Sequence, residues 1–92
     1  MHVEWGPAKA RSNLAKHGIS FSDVKSAFYD GYSLSMPDLF SIWEDRFLLL
    51  GTDALGRVLT VSYTYWNNVI RIISARLSTK LERKNYEKRI RL

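Results

Sequence analysis

The sequence predicts a single α+β domain spanning residues 1–92, and three observations support this fold class. Apolar residues recur at helical spacing in the first third of the chain. From about residue 32 to residue 76 the apolar period changes to two, which is typical of half-buried strands. A capping-box motif then predicts one more helix. The expected order is a short strand, two helices, four antiparallel strands in a meander and a C-terminal helix. The helices are expected on one face of the sheet, with the other face partly open.

The first helix is predicted between two local signals. Val3-Glu4-Trp5 is a short extended segment, and Gly6-Pro7 opens the helix because proline fits the first helical position. Ala8 to Lys16 are mostly good helix formers, and Gly18 is a natural stop at the C-terminal end.

The second helix is predicted after Ser20, a residue type that suits an N-cap. Phe21, Val24 and Phe28 follow at helical spacing, so this helix is expected to bury one face. Asp30-Gly31 ends it.

Four strands are predicted from alternation and turn residues. Val58 to Tyr65 is the most β-prone stretch, with every second side chain from Leu59 onward on one face. Asn67-Asn68 can adopt positive φ and make a tight hairpin. The remaining strands are predicted at residues 32–36, at Arg46 to Leu50 and at Val69 to Arg76.

The last helix is predicted from Thr79 and Glu82, which have the spacing of a capping box, and it should run to about Ile90. Leu81, Tyr86 and Ile90 are expected to pack against the sheet. The basic side chains of this helix lie along one stripe, at Lys80, Lys84, Lys88 and Arg91.

The basic stripe has three interpretations. It suits the phosphate backbone of RNA, it suits an acidic protein partner, and it is also what a solvated helix face looks like. The charge distribution favours an anionic partner, since residues 1–56 carry five basic and seven acidic side chains, whereas residues 57–92 carry nine basic and two acidic.

Composition excludes several classes of site. The chain has no cysteine, so it has neither a disulfide nor a thiolate metal site. The two histidines, His2 and His17, are far apart in sequence and no metal-ligand spacing is visible, so we expect no metal and no cofactor. No apolar run approaches the roughly 18 residues of a membrane span, and the N-terminus has no signal core. These features predict a cytoplasmic protein.

Two arginines are candidates for binding a phosphate. Arg71 interrupts an apolar strand, and Arg76 stands at the end of the same strand. Arginine presents fixed donors that match a phosphate in a bidentate manner. The alternative for Arg71 is a structural salt bridge to Glu44, Asp45 or Glu4.

Candidates for proton transfer are Tyr63 and His17. A tyrosine can share a proton with a leaving oxygen or stack on a base, and the alternative for Tyr63 is core packing. Histidine titrates near neutral pH, so His17 could act as general acid or base. Its alternative is a contact with the helix dipole, because it ends the first helix.

Three stretches together resemble the BrnT family of type II toxins. Trp5 to Lys9, followed by Asn13 to Phe21, resembles the opening signature of that family. Asp45 to Gly51 resembles its middle strand. Ile70 to Arg76, then Glu82-Arg83 and Tyr86-Glu87, resembles its closing strand and helix. The sequence departs from the family pattern at Gly6, at Tyr65-Trp66 and at Ser78.

The resemblance implies a fold related to RelE-type ribonucleases and RNA cleavage that halts translation. It also implies neutralisation by an antitoxin, BrnA, whose ribbon-helix-helix part binds DNA, so that the complex represses its own operon. The positions that match the family's site residues are Lys9, His17, Arg46, Tyr63, Arg71 and Arg76.

The expected mechanism is metal-independent RNA cleavage. Arg71 and Arg76 would hold the phosphate, Tyr63 or His17 would transfer protons, and Lys9 with Arg46 would supply supporting charge. Two rival functions stay open: a nucleic-acid-binding module without catalysis, and an interaction domain that binds an acidic protein.

A partner contact is predicted after Pro37-Asp38, where apolar residues crowd a turn-like stretch. Apolar side chains beside a charged surface are common at protein interfaces. The residues concerned are Leu39, Phe40, Ile42 and Trp43.

Overall fold

A computed structural model describes residues 1–42 and 45–90, and it has the predicted α+β fold. Three residues with a predicted role lie outside the described residues: Trp43 of the predicted partner contact, Glu44 as a partner of Arg71, and Arg91 of the basic stripe. The elements follow one another as β1 (His2–Glu4), α1 (Pro7–His17), α2 (Phe21–Ala27), β2 (Leu34–Pro37), β3 (Arg46–Thr52), β4 (Val58–Trp66), β5 (Val69–Leu77) and α3 (Lys80–Glu87).

The strands form one sheet in the order β1-β5-β4-β3-β2. The predicted antiparallel meander of β2, β3, β4 and β5 is confirmed, and β1 adds to β5 in parallel. Since β1 pairs only with Val69 to Arg71, the rest of β5 lies at the sheet edge beside α1.

The main core lies between the sheet and helices α1 and α2. Phe21 and Val24 of α2 are buried against Leu59, Val61 and Ile72 of the sheet. Alternation along β4 and β5 therefore fixes which side chains point the other way.

The prediction that all helices share one face of the sheet is wrong, because α3 packs on the opposite face. Its Glu82 accepts a hydrogen bond from Thr60, whose neighbours Leu59 and Val61 point into the main core. Its buried Tyr86 donates to the carboxylate of Asp30. The prediction for Leu81 is also wrong, since this side chain is 70% exposed. Ile90 is exposed as well.

The predicted turns and caps are mostly confirmed. Gly18 ends α1 in the left-handed conformation, with φ 70°. Asn67 and Asn68 both have positive φ, at 53° and 64°, and close the β4–β5 hairpin. Thr79 and Glu82 form the capping box of α3. Ser20 is the N-cap of α2, but its side chain makes no capping hydrogen bond.

A buried asparagine fastens α1 to the free part of β5. Asn13 donates to the carbonyls of Ile19 (3.0 Å) and Ala75 (2.9 Å), and its Oδ1 accepts from the Ala75 amide (2.9 Å). β1 is too short to pair with Ala75, so the Asn13 side chain makes the hydrogen bonds that a neighbouring strand would make there. Among the described residues, no helix is long and apolar enough to cross a membrane.

Candidate functional site

A β-bulge in β5 decides which side chains share the open face of the sheet. Ser62 pairs with Ser74 and Tyr63 pairs with Ile72, so Ile73 is the extra residue. Arg71 and Arg76 are five positions apart and would point to opposite faces in a regular strand. The bulge puts both of them on the face away from Leu59 and Val61, because Ile72 and Ala75 both point into the core.

Hydroxyl groups lie between the arginines in cross-strand rows. Arg71 stands opposite Thr64, which stands opposite Arg46. The next row pairs Ser74 with Ser62, and the following row pairs Arg76 with Thr60. Beyond the end covered by α3, the β4 and β5 part of this face therefore carries cations and hydroxyls, and Leu48 of β3 lies opposite Ser62.

Arg71 is held by a carboxylate from β1. Its Nη1 lies 3.0 Å from Oε1 of Glu4, and the two side chains are 48% and 44% exposed. Of the partners predicted for Arg71, the structure thus shows Glu4. One contact leaves most of the guanidinium donors available to a ligand.

Arg76 is held more firmly, by Glu82 of α3. Its Nη1 and Nη2 donate to the two carboxylate oxygens at 2.7 and 3.1 Å. The hydrogen bond from Arg76 lowers the pKa of Glu82 to about 2, against the opposing effect of burial, with further bonds from the Thr79 amide and the Thr60 hydroxyl. The same carboxylate raises the pKa of Arg76.

A second basic cluster lines a groove between α1 and the free edge of β5. The groove encloses about 250 Å³. Lys9 and Lys16 are exposed and His17 is half-buried. Ser74 lines this groove and also stands between Arg71 and Arg76 on β5, so the groove adjoins the open face at Ser74. The lining side chains that can bind an anion or exchange a proton are Lys9, Ser12, Lys16, His17 and Ser74.

This chain resembles a known protein family in sequence and a solved structure in fold. A family model described as "Ribonuclease toxin, BrnT, of type II toxin-antitoxin system" matches residues 5–82. The chain belongs to this family. Its fold is similar to the crystal structure of the Brucella abortus ribonuclease toxin BrnT, with a TM-score of 0.61 and 22% identity over 87% of this chain and 99% of that one. No curated protein sequence matches the chain.

Family membership confirms the resemblance seen in the sequence, and it assigns the chain to the ribonuclease toxins of type II toxin–antitoxin systems. The structure brings five of the residues predicted from BrnT into two adjoining places. The open face holds Arg46, Arg71 and Arg76, and the groove holds Lys9 and His17.

Of the six residues predicted from the resemblance, Tyr63 is the one that the structure does not bring together with the others. It is buried on the opposite face, edge-on to Phe28 and stacked on Phe47, and its hydroxyl is hydrogen-bonded to Ser35. Tyr63 is therefore packed in the core, which is the alternative to proton transfer that the sequence left open.

The basic stripe of α3 faces solvent over the described part of the chain, since Lys80, Lys84 and Lys88 are all exposed. Four polar residues of this candidate site were not predicted from the sequence: Ser12, Ser62, Thr64 and Ser74. Alternation from Tyr63 could have placed Ser62 and Thr64 on the open face. Nothing local in the sequence indicates the bulge that adds Ser74.

Proposed function

We propose that this chain is a metal-independent endoribonuclease whose scissile phosphate binds on the open face, between Arg71 and Arg76. One observation carries the proposal: the bulge at Ile73 turns both arginines to the same face and puts Ser74 between them. Bulges often aim side chains beside active sites. The ion pairs with Glu4 and Glu82 hold the guanidinium groups in place before RNA binds.

The reaction begins at the ribose. A base removes the proton of the 2′-hydroxyl, and the 2′-oxygen attacks the adjacent phosphorus. The bond from phosphorus to the 5′-oxygen breaks, the leaving oxygen takes a proton from an acid, and a cyclic phosphate stays on the other fragment. Arg71 and Arg76 stabilise the negative charge that develops on the phosphate oxygens.

Proton transfer is assigned to His17, which lines the same groove as Ser74. Lys9 in the groove and Arg46 on the sheet supply supporting positive charge. Tyr63 is left out of the step because its side chain points to the other face of β4. The exposed lysines of α3 bind the RNA backbone further along.

In the cell, RNA cleavage halts translation in the cytoplasm. A BrnA-type antitoxin with a ribbon-helix-helix part binds the chain and neutralises it by covering Arg71 and Arg76. Operator DNA is then bound through the antitoxin within the complex.

The test is cleavage of a labelled RNA by the purified chain, beside a DNA of the same sequence, with and without a chelator. We expect RNA cleavage that persists in chelator and leaves the DNA intact, because the nucleophile is the 2′-hydroxyl. Induction of the chain alone in bacteria should arrest growth and shorten RNA. Intact RNA at verified expression of folded protein would contradict the proposal, and activity restored only by a divalent ion would contradict metal independence.

A second candidate is a nucleic-acid-binding module without catalysis. The observation that favours it is that Arg71 and Arg76 both already have carboxylate partners, Glu4 and Glu82, as structural arginines do. In the same assay this candidate predicts RNA that is bound with a steep salt dependence but is not cut.

A further inference from the structure

An exposed tryptophan stands at the tip of the sheet, on the same face as the arginines. Trp66 is the last residue of β4 and is 83% exposed. Since Leu59, Val61 and Tyr63 point into the core, alternation puts Trp66 on the open face with Thr64. The sequence departs from the BrnT pattern at this position, and neither the fold nor the proposed reaction uses the indole.

Register places the indole beside two of the arginines. Trp66 pairs with Val69, so Arg71 is its diagonal neighbour on β5. Arg46 pairs with Thr64 and is therefore the diagonal neighbour of Trp66 on β3. Diagonal neighbours in a sheet are about 7–8 Å apart, within reach of aromatic and long side chains.

The hairpin fixes the backbone at Trp66. Asn67 and Asn68 both have positive φ, which gives the two-residue turn that matches the twist of the strands. The Tyr65 hydroxyl donates to Oδ1 of Asn68 at 2.9 Å and ties the turn to the strand. A ligand that stacks on Trp66 therefore need not order the backbone of the turn, which reduces the entropic cost of binding.

The neighbours of Trp66 indicate what kind of ligand it binds. On its face the adjacent positions are Arg46, Thr64 and Arg71, residue types that can bind anions and hydroxyls, and Val69 is the apolar exception. A protein contact would instead favour a continuous apolar surface. A ligand that carries a flat ring one step away from a phosphate fits this arrangement, and a nucleotide of single-stranded RNA is such a ligand.

We infer that Trp66 is a base-stacking platform, which holds the nucleobase next to the phosphate that binds Arg71. This inference rests on the proposed function and adds a substrate subsite to it. Stacking tolerates any base, so Trp66 gives affinity and sets which phosphate reaches Arg71, with little preference for sequence.

The experiment is a binding cycle between a protein change and a nucleotide change. The probe is a short fluorescein-labelled RNA with 2′-O-methyl groups, which blocks cleavage, together with a series in which one base at a time is replaced by an abasic site. Anisotropy gives the Kd for wild type, Trp66→Ala and Trp66→Phe. Tyr29→Ala is the matched control, because Tyr29 is also an exposed aromatic residue but lies after α2.

We expect Trp66→Ala to weaken binding about 5- to 100-fold, with Trp66→Phe in between and Tyr29→Ala unchanged. In wild type, one abasic position should cost a similar factor, and in Trp66→Ala that same position should cost almost nothing. Equal Kd values for wild type and Trp66→Ala, in a protein that does bind the RNA, would overturn the platform alone. An abasic penalty that is unchanged in Trp66→Ala would overturn it as well.

Two further outcomes separate the platform from the claims around it. If wild type binds no RNA at all, the proposed function fails and the platform fails with it. If Trp66→Ala binds RNA normally but loses the neighbouring gene product in a pull-down, the indole belongs to a protein interface and the platform is wrong.

Discussion

At the scale of single residues, the ion pair of Arg76 with Glu82 joins the candidate site to the C-terminal helix. A guanidinium has five donors in a fixed fork, and Arg76 directs two of its nitrogens at Glu82. The remaining donors can bind a phosphate while Glu82 keeps the group oriented. Arg76 is a residue of β5, and its side chain is therefore positioned by a residue of α3.

Replacing Arg76 with alanine should lower RNA cleavage about 10²–10³-fold, the usual cost of removing one donor to a developing oxyanion. Arg76→Ala also removes the partner of Glu82, so the thermal midpoint should fall moderately, while the Thr79–Glu82 capping box keeps α3 folded. The measurement is the cleavage rate of folded protein, with Arg83→Ala as matched control, since Arg83 is an exposed arginine of α3. Equal loss in both variants, or full activity in Arg76→Ala, would contradict the assignment.

Glu82 should make stability depend on acid pH. Its pKa in the folded protein is about 2, below its ordinary value of 4.5, so its contribution is complete above about pH 4.5 and disappears as pH falls toward 2. Glu82→Gln lacks the carboxylate, and all other carboxylates are common to both proteins. The difference in unfolding free energy between wild type and Glu82→Gln, measured by urea titration, should therefore shrink over that range. A difference that is constant with pH would show that the ion pair does not stabilise the fold.

The sequence predicted these residues better than their arrangement. Arg71 and Arg76 stand out because cations in or beside an apolar strand need a partner. Because Arg71 and Arg76 are five positions apart, regular alternation would put them on opposite faces of the sheet, and only the bulge at Ile73 puts them on the same face. Glu82 was recognised as a cap but not as the partner of Arg76, because that contact depends on where α3 packs.

At the scale of elements, α1 takes the place of a strand along β5. Two hydrogen bonds of Asn13 satisfy the Ala75 backbone groups that β1 does not reach, and a third satisfies the carbonyl of Ile19 after α1. The groove with Lys9 and His17 lies along this junction. The geometry of the groove therefore depends on one amide side chain.

Asn13→Ala should destabilise the protein by about 2–4 kcal/mol, because it leaves buried backbone groups without partners. Ser12→Ala is the matched control, since Ser12 is the exposed neighbour on the same helix, and it should cost less than about 0.5 kcal/mol. Urea unfolding followed by tryptophan fluorescence measures both. A cost for Asn13→Ala as small as that of the control would mean that water satisfies the junction.

Element predictions succeeded where the signal is local. The left-handed Gly18, the Asn67-Asn68 turn and the capping box at Thr79 each depend on a few adjacent residues, and all are present. The face on which α3 packs depends on long-range contacts of Tyr86 with Asp30 and Thr52. Periodicity within α3 could not show this, and Leu81, which it predicts to be buried, is exposed.

At the scale of the whole molecule, an apolar surface adjoins the basic sheet face, because Leu39 and Arg46 line the same pocket. The basic stripe of α3 and the open sheet face are cationic, whereas Leu39, Phe40 and Ile42 after β2 are apolar and largely exposed, with Phe40 94% exposed. A partner that is acidic in one part and apolar in another fits both surfaces. We propose that these are the contacts of the antitoxin that the family implies.

Adding the neighbouring gene product should raise the melting temperature, because a ligand that binds only the folded state stabilises it. At about 100 times its Kd the gain is about 2.7 kcal/mol, or roughly 10–20 °C for a domain of this size. Lys84→Glu should reduce the shift and Lys25→Glu should not, since Lys25 is an exposed lysine of α2, away from the stripe. Thermal melts of the mixtures and RNA cleavage by the complex test both parts. A complex that forms but cleaves RNA at the free rate would show that the antitoxin does not cover Arg71 and Arg76, and a normal shift in Lys84→Glu would move the contact away from α3.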